Sequence, residues 1–355
     1  MMRIKILSLL SFFCLITSTL YGQYLKDTQI GEAMGIYDHD KWDGYDSLYV
    51  MDYSEEWTLR AISTYKNNRF GIISKDIEGD LHRLVFSPVA PYSIGVGLNH
   101  NWLGVNLSLT MPLGPQEKNE TFSQIDLIGR YYTKAIGFEG RAQYFQGHYA
   151  DVRPIQGAPI NLDNAPKLNT MLVSVNATYV FNQKTYSYMA NSAQTQWQKK
   201  SAGSWLLGGF STFQHYWNHK DNTLLDKRKL NLDQSQYFTL GLTGGYGYTW
   251  VYKSHWFAGF SAMAGVGGNY INLQTLAKNQ NDEVMYKPSI MTVSRLFVGY
   301  NNADFFVVIN ATTEANYIFI NSYSSNMIQG YVRLSVGKRF AWKAKNKVLH
   351  EIGLD

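Results

Sequence analysis

A two-residue alternation of side-chain type recurs along this chain and limits its possible folds more than any other feature. In Tyr92, Ile94, Val96 and Leu98 the large apolar residues share one parity, while Ser93, Gly95, Gly97 and Asn99 fill the other. Leu103, Val105, Leu107 and Leu109 then alternate with Gly104, Asn106, Ser108 and Thr110. Successive side chains of a strand point to opposite faces, so each run reads as a strand with one apolar and one small or polar face. The short interval 99–101 makes the pair a hairpin. Ile136, Phe138, Ala142 and Tyr144 likewise oppose Gly137, Glu139, Arg141 and Gln143. Met171, Val173, Val175, Ala177, Tyr179 and Phe181 alternate with Ser174, Asn176 and Thr178, and Leu240, Leu242, Tyr246 and Tyr248 oppose Thr239, Gly241, Thr243, Gly245 and Gly247. A soluble sandwich would set charged residues opposite its apolar face. Here Gly, Ser, Thr and Asn stand there, and most charge falls between the runs, which suits a sheet whose apolar face meets lipid.

The chain has 26 Tyr, 18 Phe, 9 Trp and 30 Gly, against 17% charged residues. Beyond the leader no stretch of roughly 18 apolar residues occurs, which excludes a helical span. A closed sheet still crosses lipid, because closure pairs every backbone group that lipid leaves unhydrated. The fold class expected is therefore all-β: a transmembrane, antiparallel, up-and-down β-barrel of about 12 strands. Strand centres are expected near Ala61, Val96, Leu107, Leu127, Gly140, Val175, Gly208, Leu242, Ala262, Ser294, Val308 and Leu334. Short turns near His100, Lys134, Lys253 and Asn302 are periplasmic in this reading. The long polar stretches 111–120, 148–167, 216–234, 272–287 and 314–326 are extracellular loops. The runs 70–74 and 81–86 read as a hairpin above the membrane; counted as spanning strands they raise the total to about 14. By parity the stretch 184–200 is periplasmic, and it is long for such a turn.

Arg3 and Lys5 precede an apolar run from Ile6 to Ile16, the pattern of a secretory leader, with Gly22 before a cut at Gln23. The expected division is a signal peptide over 1–22, a periplasmic segment over 23–54, a barrel over 55–340 and a basic periplasmic tail over 341–355. Removing the leader takes away the one cysteine, Cys14, and with it any disulfide or thiolate site. The formal charge falls from +5 to +3 as Arg3 and Lys5 leave, with no nucleic-acid footprint. The location expected is the cell outer membrane, reached by Sec export. The expected partners are outer-membrane lipid and lipopolysaccharide, together with the barrel-assembly machinery, for which the final strand ending at Phe340 resembles the terminal signal. A periplasmic or surface protein partner stays open.

No cofactor, metal or catalytic residue is expected. Asp38, Asp40, Asp43 and Asp46 surround Gly44, yet Trp42 and Asp43 occupy positions where an EF-hand loop needs an oxygen ligand and glycine. His215 and His219 stand four apart, a metal spacing only in a helix, and the local pattern reads as an extracellular loop. An outer-membrane hydrolase or protease would need a serine or aspartate beside a histidine. His100 with Ser93 or Ser108 is the pairing available, and His100 falls on the periplasmic side. Arg60, Asp126, Arg130, Glu139, Arg141 and Arg295 fall on the polar parity, where they either bridge the lumen and close it or line a path for a polar solute. Two functional classes follow: a small-solute channel or export component, and a sealed structural or partner-binding barrel. The segment 184–204, with Lys199, Lys200, Ser201 and Ser204, is expected to fold into the barrel mouth as a partial plug.

Three local strings carry a resemblance: Asp46-Ser47-Leu48-Tyr49-Val50 leading to Leu59-Arg60; Ser87-Pro88 followed by Ile94-Gly95-Val96-Gly97; and Gln198-Lys199-Lys200-Ser201-Ala202-Gly203-Ser204. Together they resemble an uncharacterised Bacteroidota family of outer-membrane barrels, catalogued as a domain of unknown function. The resemblance implies architecture and location, and brings no substrate or catalytic residues. At one loop this chain has Ser87-Pro88-Val89 where the family string commonly has Pro-Asn.

Overall fold

A computed structural model describes residues 44–75, 81–88, 91–100, 103–110, 124–132, 135–146, 148–154, 168–218, 232–275, 283–319 and 324–341. In chain order the elements are β1 (Val50–Asp52), β2 (Trp57–Lys75), β3 (Leu81–Pro88), β4 (Tyr92–His100), β5 (Leu103–Thr110), β6 (Gln124–Tyr132), β7 (Ile136–Phe145), β8 (His148–Pro154) and β9 (Leu168–Val180). After them come a one-turn helix, α1 (Met189–Ser192), β10 (Gln196–Gln198), β11 (Ala202–Asn218), β12 (Leu232–Tyr252), β13 (Trp256–Thr275), β14 (Glu283–Asn301), β15 (Phe305–Phe319) and β16 (Ser324–Phe340).

Fourteen strands form one antiparallel sheet, and twelve of them close into a ring. Closure comes from β16 pairing with β2 from Phe340↔Trp57 to Ser325↔Ile72. The strands outside the ring are β3 and β8: Phe70↔Phe86 through Lys75↔Leu81 join β2 to β3, and Pro88↔His148 through His82↔Pro154 join β3 to β8. The runs 70–74 and 81–86 thus leave the ring count at twelve, and they are more than a free hairpin, because β8 continues the same sheet. The reading of 148–167 as loop is corrected over His148–Pro154. Three other expected loops are also shorter. The ring strands run on to Asn218, Thr275 and Phe319, and resume at Leu232, Glu283 and Ser324. Beyond the apolar layer, strand pairing in water needs no apolar face, so the alternation fades while the hydrogen-bonded ladder persists.

The outward parity carries the exposed apolar residues, including Val96, Leu107, Leu207, Leu240, Leu242, Val266, Leu296 and Leu334. Trp205, Trp250 and Trp256 lie outward near one end of the ring, where the strand connections are short, while Tyr65, Tyr92, Tyr286 and Tyr317 lie outward toward the other end. Amphipathic rings at both edges of an apolar band are how a barrel marks the two faces of the bilayer. Inside, the barrel is filled. Apolar clusters gather Phe210, Met263, Met291 and Val293 around Tyr186, and Phe257, Phe297, Phe306 and Val308 beside them.

Candidate functional site

The lumen is occupied at three levels. At the end of the ring where β9 leads into β11, the connection between these strands turns into the ring. Tyr186, Ala190, Ala193, Gln194, Thr195, Gln196 and Gln198 are buried there, and β10 pairs with β1 through Val50↔Gln198 and Asp52↔Gln196. Two separate stretches of chain therefore form one cap. The wall holds this cap largely through the cap's own main chain. Asn99 donates to Ala193 O at 3.2 Å, Asn301 to Gln196 O at 3.0 Å, and Arg339 to Gln194 O. Arg60 donates to Gln194 Oε1 at 3.0 Å and to Asn99 Oδ1 at 2.8 Å, and Asn191 reaches Thr249 Oγ1 at 3.0 Å.

Tyr186 is the cap's anchor. A Cβ on Gly247 would stand 2.5 Å from the Tyr186 hydroxyl, so the missing side chain makes the hollow in which the ring sits. Burial pushes this phenol well above its ordinary value and keeps it neutral. Gly247→Leu is expected to expel the ring at a cost of about 1–3 kcal/mol for overpacking. Limited proteolysis within 184–199 should become faster while the heat-modified gel shift of the barrel persists.

Above the cap lies a belt of charge. Lys66 meets Asp126 at 2.8 Å, Arg130 meets Glu139 at 2.8 Å, Arg141 meets Glu139 at 3.1 Å and Glu314 at 3.4 Å, and Arg295 stands 3.9 Å from Glu314. The Arg141–Glu314 contact joins β7 to β15 across the lumen, since the two strands are not neighbours in the ring. Opposite charges in a low-dielectric interior stay ionised only when paired this closely. Inward-facing Arg60, Asp126, Arg130, Glu139, Arg141 and Arg295 are all placed in the lumen, with Arg60 on the cap and the others in the belt. Lys66, Glu314, Arg333 and Arg339 belong with them and were missed. Parity marks Lys66, which follows Arg60, Ile62 and Thr64 on the inward side of β2. Glu314, in the stretch 314–326 expected as a loop, lies in β15 instead.

At the opposite end the closure is aromatic. Phe70 of β2 stacks on Tyr216 of β11, with centroids 4.2 Å apart, and meets Tyr237 of β12 at 5.7 Å. In ring order β2 and β11 are diametrically opposed, so this stack spans the full width of the barrel. Phe86 of β3 packs on Phe70 at 6.1 Å and is 1% exposed.

The other sequence candidates fall elsewhere. Lys199, Lys200, Ser201 and Ser204 lie at the base of the cap instead of within it: Lys199 N donates to Tyr49 O, Ser201 Oγ accepts from Val251 N, and Ser204 Oγ accepts from Asn182 N. The plug interior is made by the preceding residues, whose buried polar atoms bond to the wall. His215 sits on β11 with Nε2 2.9 Å from Gln234 Oε1, a strand position in place of the expected loop; His219 lies outside the described residues, as do Asp38, Asp40 and Asp43. Asp46 accepts from Leu48 N in a local turn. His100 stacks on Trp57 at 4.3 Å, and its cross-strand partner is Leu103, whereas Ser108 pairs with Gly95 and Ser93 with Thr110. The structure does not bring His100 to either serine.

Residues 44–340 match the family described as Domain of unknown function (DUF4421). The chain belongs to this family. The match runs from the cap's first residues to the end of β16, so the family unit comprises the ring together with its cap. No curated protein matches. Among solved structures, the outer membrane protease OmpT from Escherichia coli aligns with 82% of this chain and 98% of its own at 7% identity and a TM-score of 0.38. The outer membrane protein OprG from Pseudomonas aeruginosa covers 82% and 98% at 11% identity and a TM-score of 0.27. A Pseudomonas aeruginosa FadL homologue covers 81% and 90% at 9% identity and a TM-score of 0.26. The ring itself rests on the strand register described above.

Proposed function

We propose that the protein is a sealed barrel of a bacterial outer membrane with a structural or partner-binding role, and neither an open diffusion channel nor a hydrolase. The observation that carries this reading is the Phe70–Tyr216 stack, which joins opposite walls of the ring above a charged belt and a periplasmic cap. The apolar outer wall with aromatic edges supports the membrane location. With the lumen filled, the surfaces left for work are the rim around β3 and β8 and the periplasmic cap formed by β1 and β10.

Barriers in series predict a distinctive pattern. Replacing residues 184–199 by a short Gly-Ser linker leaves the aromatic layer in place, and Phe70→Ala with Tyr216→Ala leaves the cap. Liposomes carrying either variant should swell in isotonic small sugar no faster than empty ones, whereas the combined variant, once Arg141→Ala and Glu314→Ala also remove the contact across the belt, should admit the sugar. Swelling by the intact protein, or by either partial variant, contradicts the proposal.

A further inference from the structure

An enclosed cavity of about 30 Å³ lies between the cap and the charged belt, lined by Arg130, Arg295, Arg333, Glu139, Tyr188 and Tyr331 among others. We propose that it is a binding site for a small monovalent anion of halide size. The belt holds five cations, Lys66, Arg130, Arg141, Arg295 and Arg333, against three carboxylates, Asp126, Glu139 and Glu314. Among the described residues of the belt, that leaves two positive charges in excess. Glu139 uses one oxygen on Arg130 and the other on Arg141, while Asp126 holds Lys66 through Oδ2 and leaves Oδ1 without a hydrogen bond. Glu314 divides a single oxygen between Arg141 at 3.4 Å and Arg295 at 3.9 Å.

Arg333 is the deciding group. It is 5% exposed, its Nε donates to Thr64 Oγ1 at 3.2 Å, and its guanidinium lies over the Tyr331 ring at 4.6 Å. No carboxylate pairs with it among the described residues, and it lines the cavity. A buried guanidinium lining a void, without an acidic partner, is a costly arrangement unless an anion or ordered water completes it. The void has room for one or two water-sized particles, which suits a halide. With the excess charge in the belt, an anion completes the site better than water.

The inference rests on the sealed reading, because closure at both ends makes the anion occluded. The test is to refold the full barrel from urea in bromide and to collect anomalous diffraction at the bromine edge. A peak within hydrogen-bond distance of Arg333 is the expected result. A cavity holding only water, with no anomalous signal, overturns the site. In parallel, the wild-type barrel refolded in chloride should melt higher than in gluconate at equal ionic strength, and Arg333→Gln should abolish the difference. Equal melting of the wild type in both salts also overturns it, whether or not the variant folds. A bromide peak in a barrel that conducts would contradict the sealed reading alone, and a non-conducting barrel without the peak would contradict the anion site alone.

Discussion

Replacing Glu139 by alanine is expected to lower the stability of the barrel by about 3–5 kcal/mol, the cost of leaving partners of a buried ion pair uncompensated. Glu139 gives each of its two oxygens to a different arginine, Arg130 at 2.8 Å and Arg141 at 3.1 Å. Its loss raises the excess of buried positive charge, and Glu314, already shared with Arg295, has no spare oxygen directed at Arg130. Urea titration of the barrel refolded into lipid vesicles, followed by tryptophan fluorescence, measures the change. The double variant Arg130→Gln with Glu139→Gln removes one charge of each sign and should recover much of the loss. A loss as large in the double variant as in Glu139→Ala would show that shape, and not charge, sets the cost.

The outer wall gives the second large effect. Leu242 lies at the centre of β12, points outward and is 66% exposed, which in this fold means exposed to hydrocarbon. Leu242→Arg should cost about 2–4 kcal/mol, as expected for arginine at the bilayer midplane, while Tyr286→Arg near the far end of β14 should cost about 0–1 kcal/mol. The same vesicle titration gives both values. Equal costs at the two positions would mean that the wall is not arranged around a bilayer midplane at Leu242.

The ring was legible in the sequence because lipid and lumen make opposite demands on adjacent residues. Every expected centre, from Ala61 to Leu334, falls in a ring strand, since a lipid-facing leucine followed by a lumen-facing glycine or threonine leaves one register possible. What escaped lies where that contrast fails. The ladder of β11 to β16 continues beyond the apolar alternation, so His215 falls at the edge of a polar stretch, and Glu314, although it shares the inward parity of Thr312, opens the stretch 314–326 that reads as a loop. In β14 and β15, Met291, Val293, Phe297, Phe306 and Val308 face inward and are buried, so both faces are apolar and the filled interior left no signature. The cap is hard to read for another reason. Its grip on the wall runs largely through the carbonyls of Ala193, Gln194 and Gln196, which any residue would supply. Pairing of β1 with β10 joins segments far apart in sequence, with only three residues in each.

Current across a planar bilayer tests the closed lumen most directly. Purified wild-type protein inserted in molar potassium chloride should give no unitary steps above the bare membrane, because the Phe70–Tyr216 stack, the Arg141–Glu314 contact and the β1–β10 cap each interrupt the path. Stable ohmic steps from the intact protein, lost when it is heat-denatured before insertion, would contradict a sealed barrel.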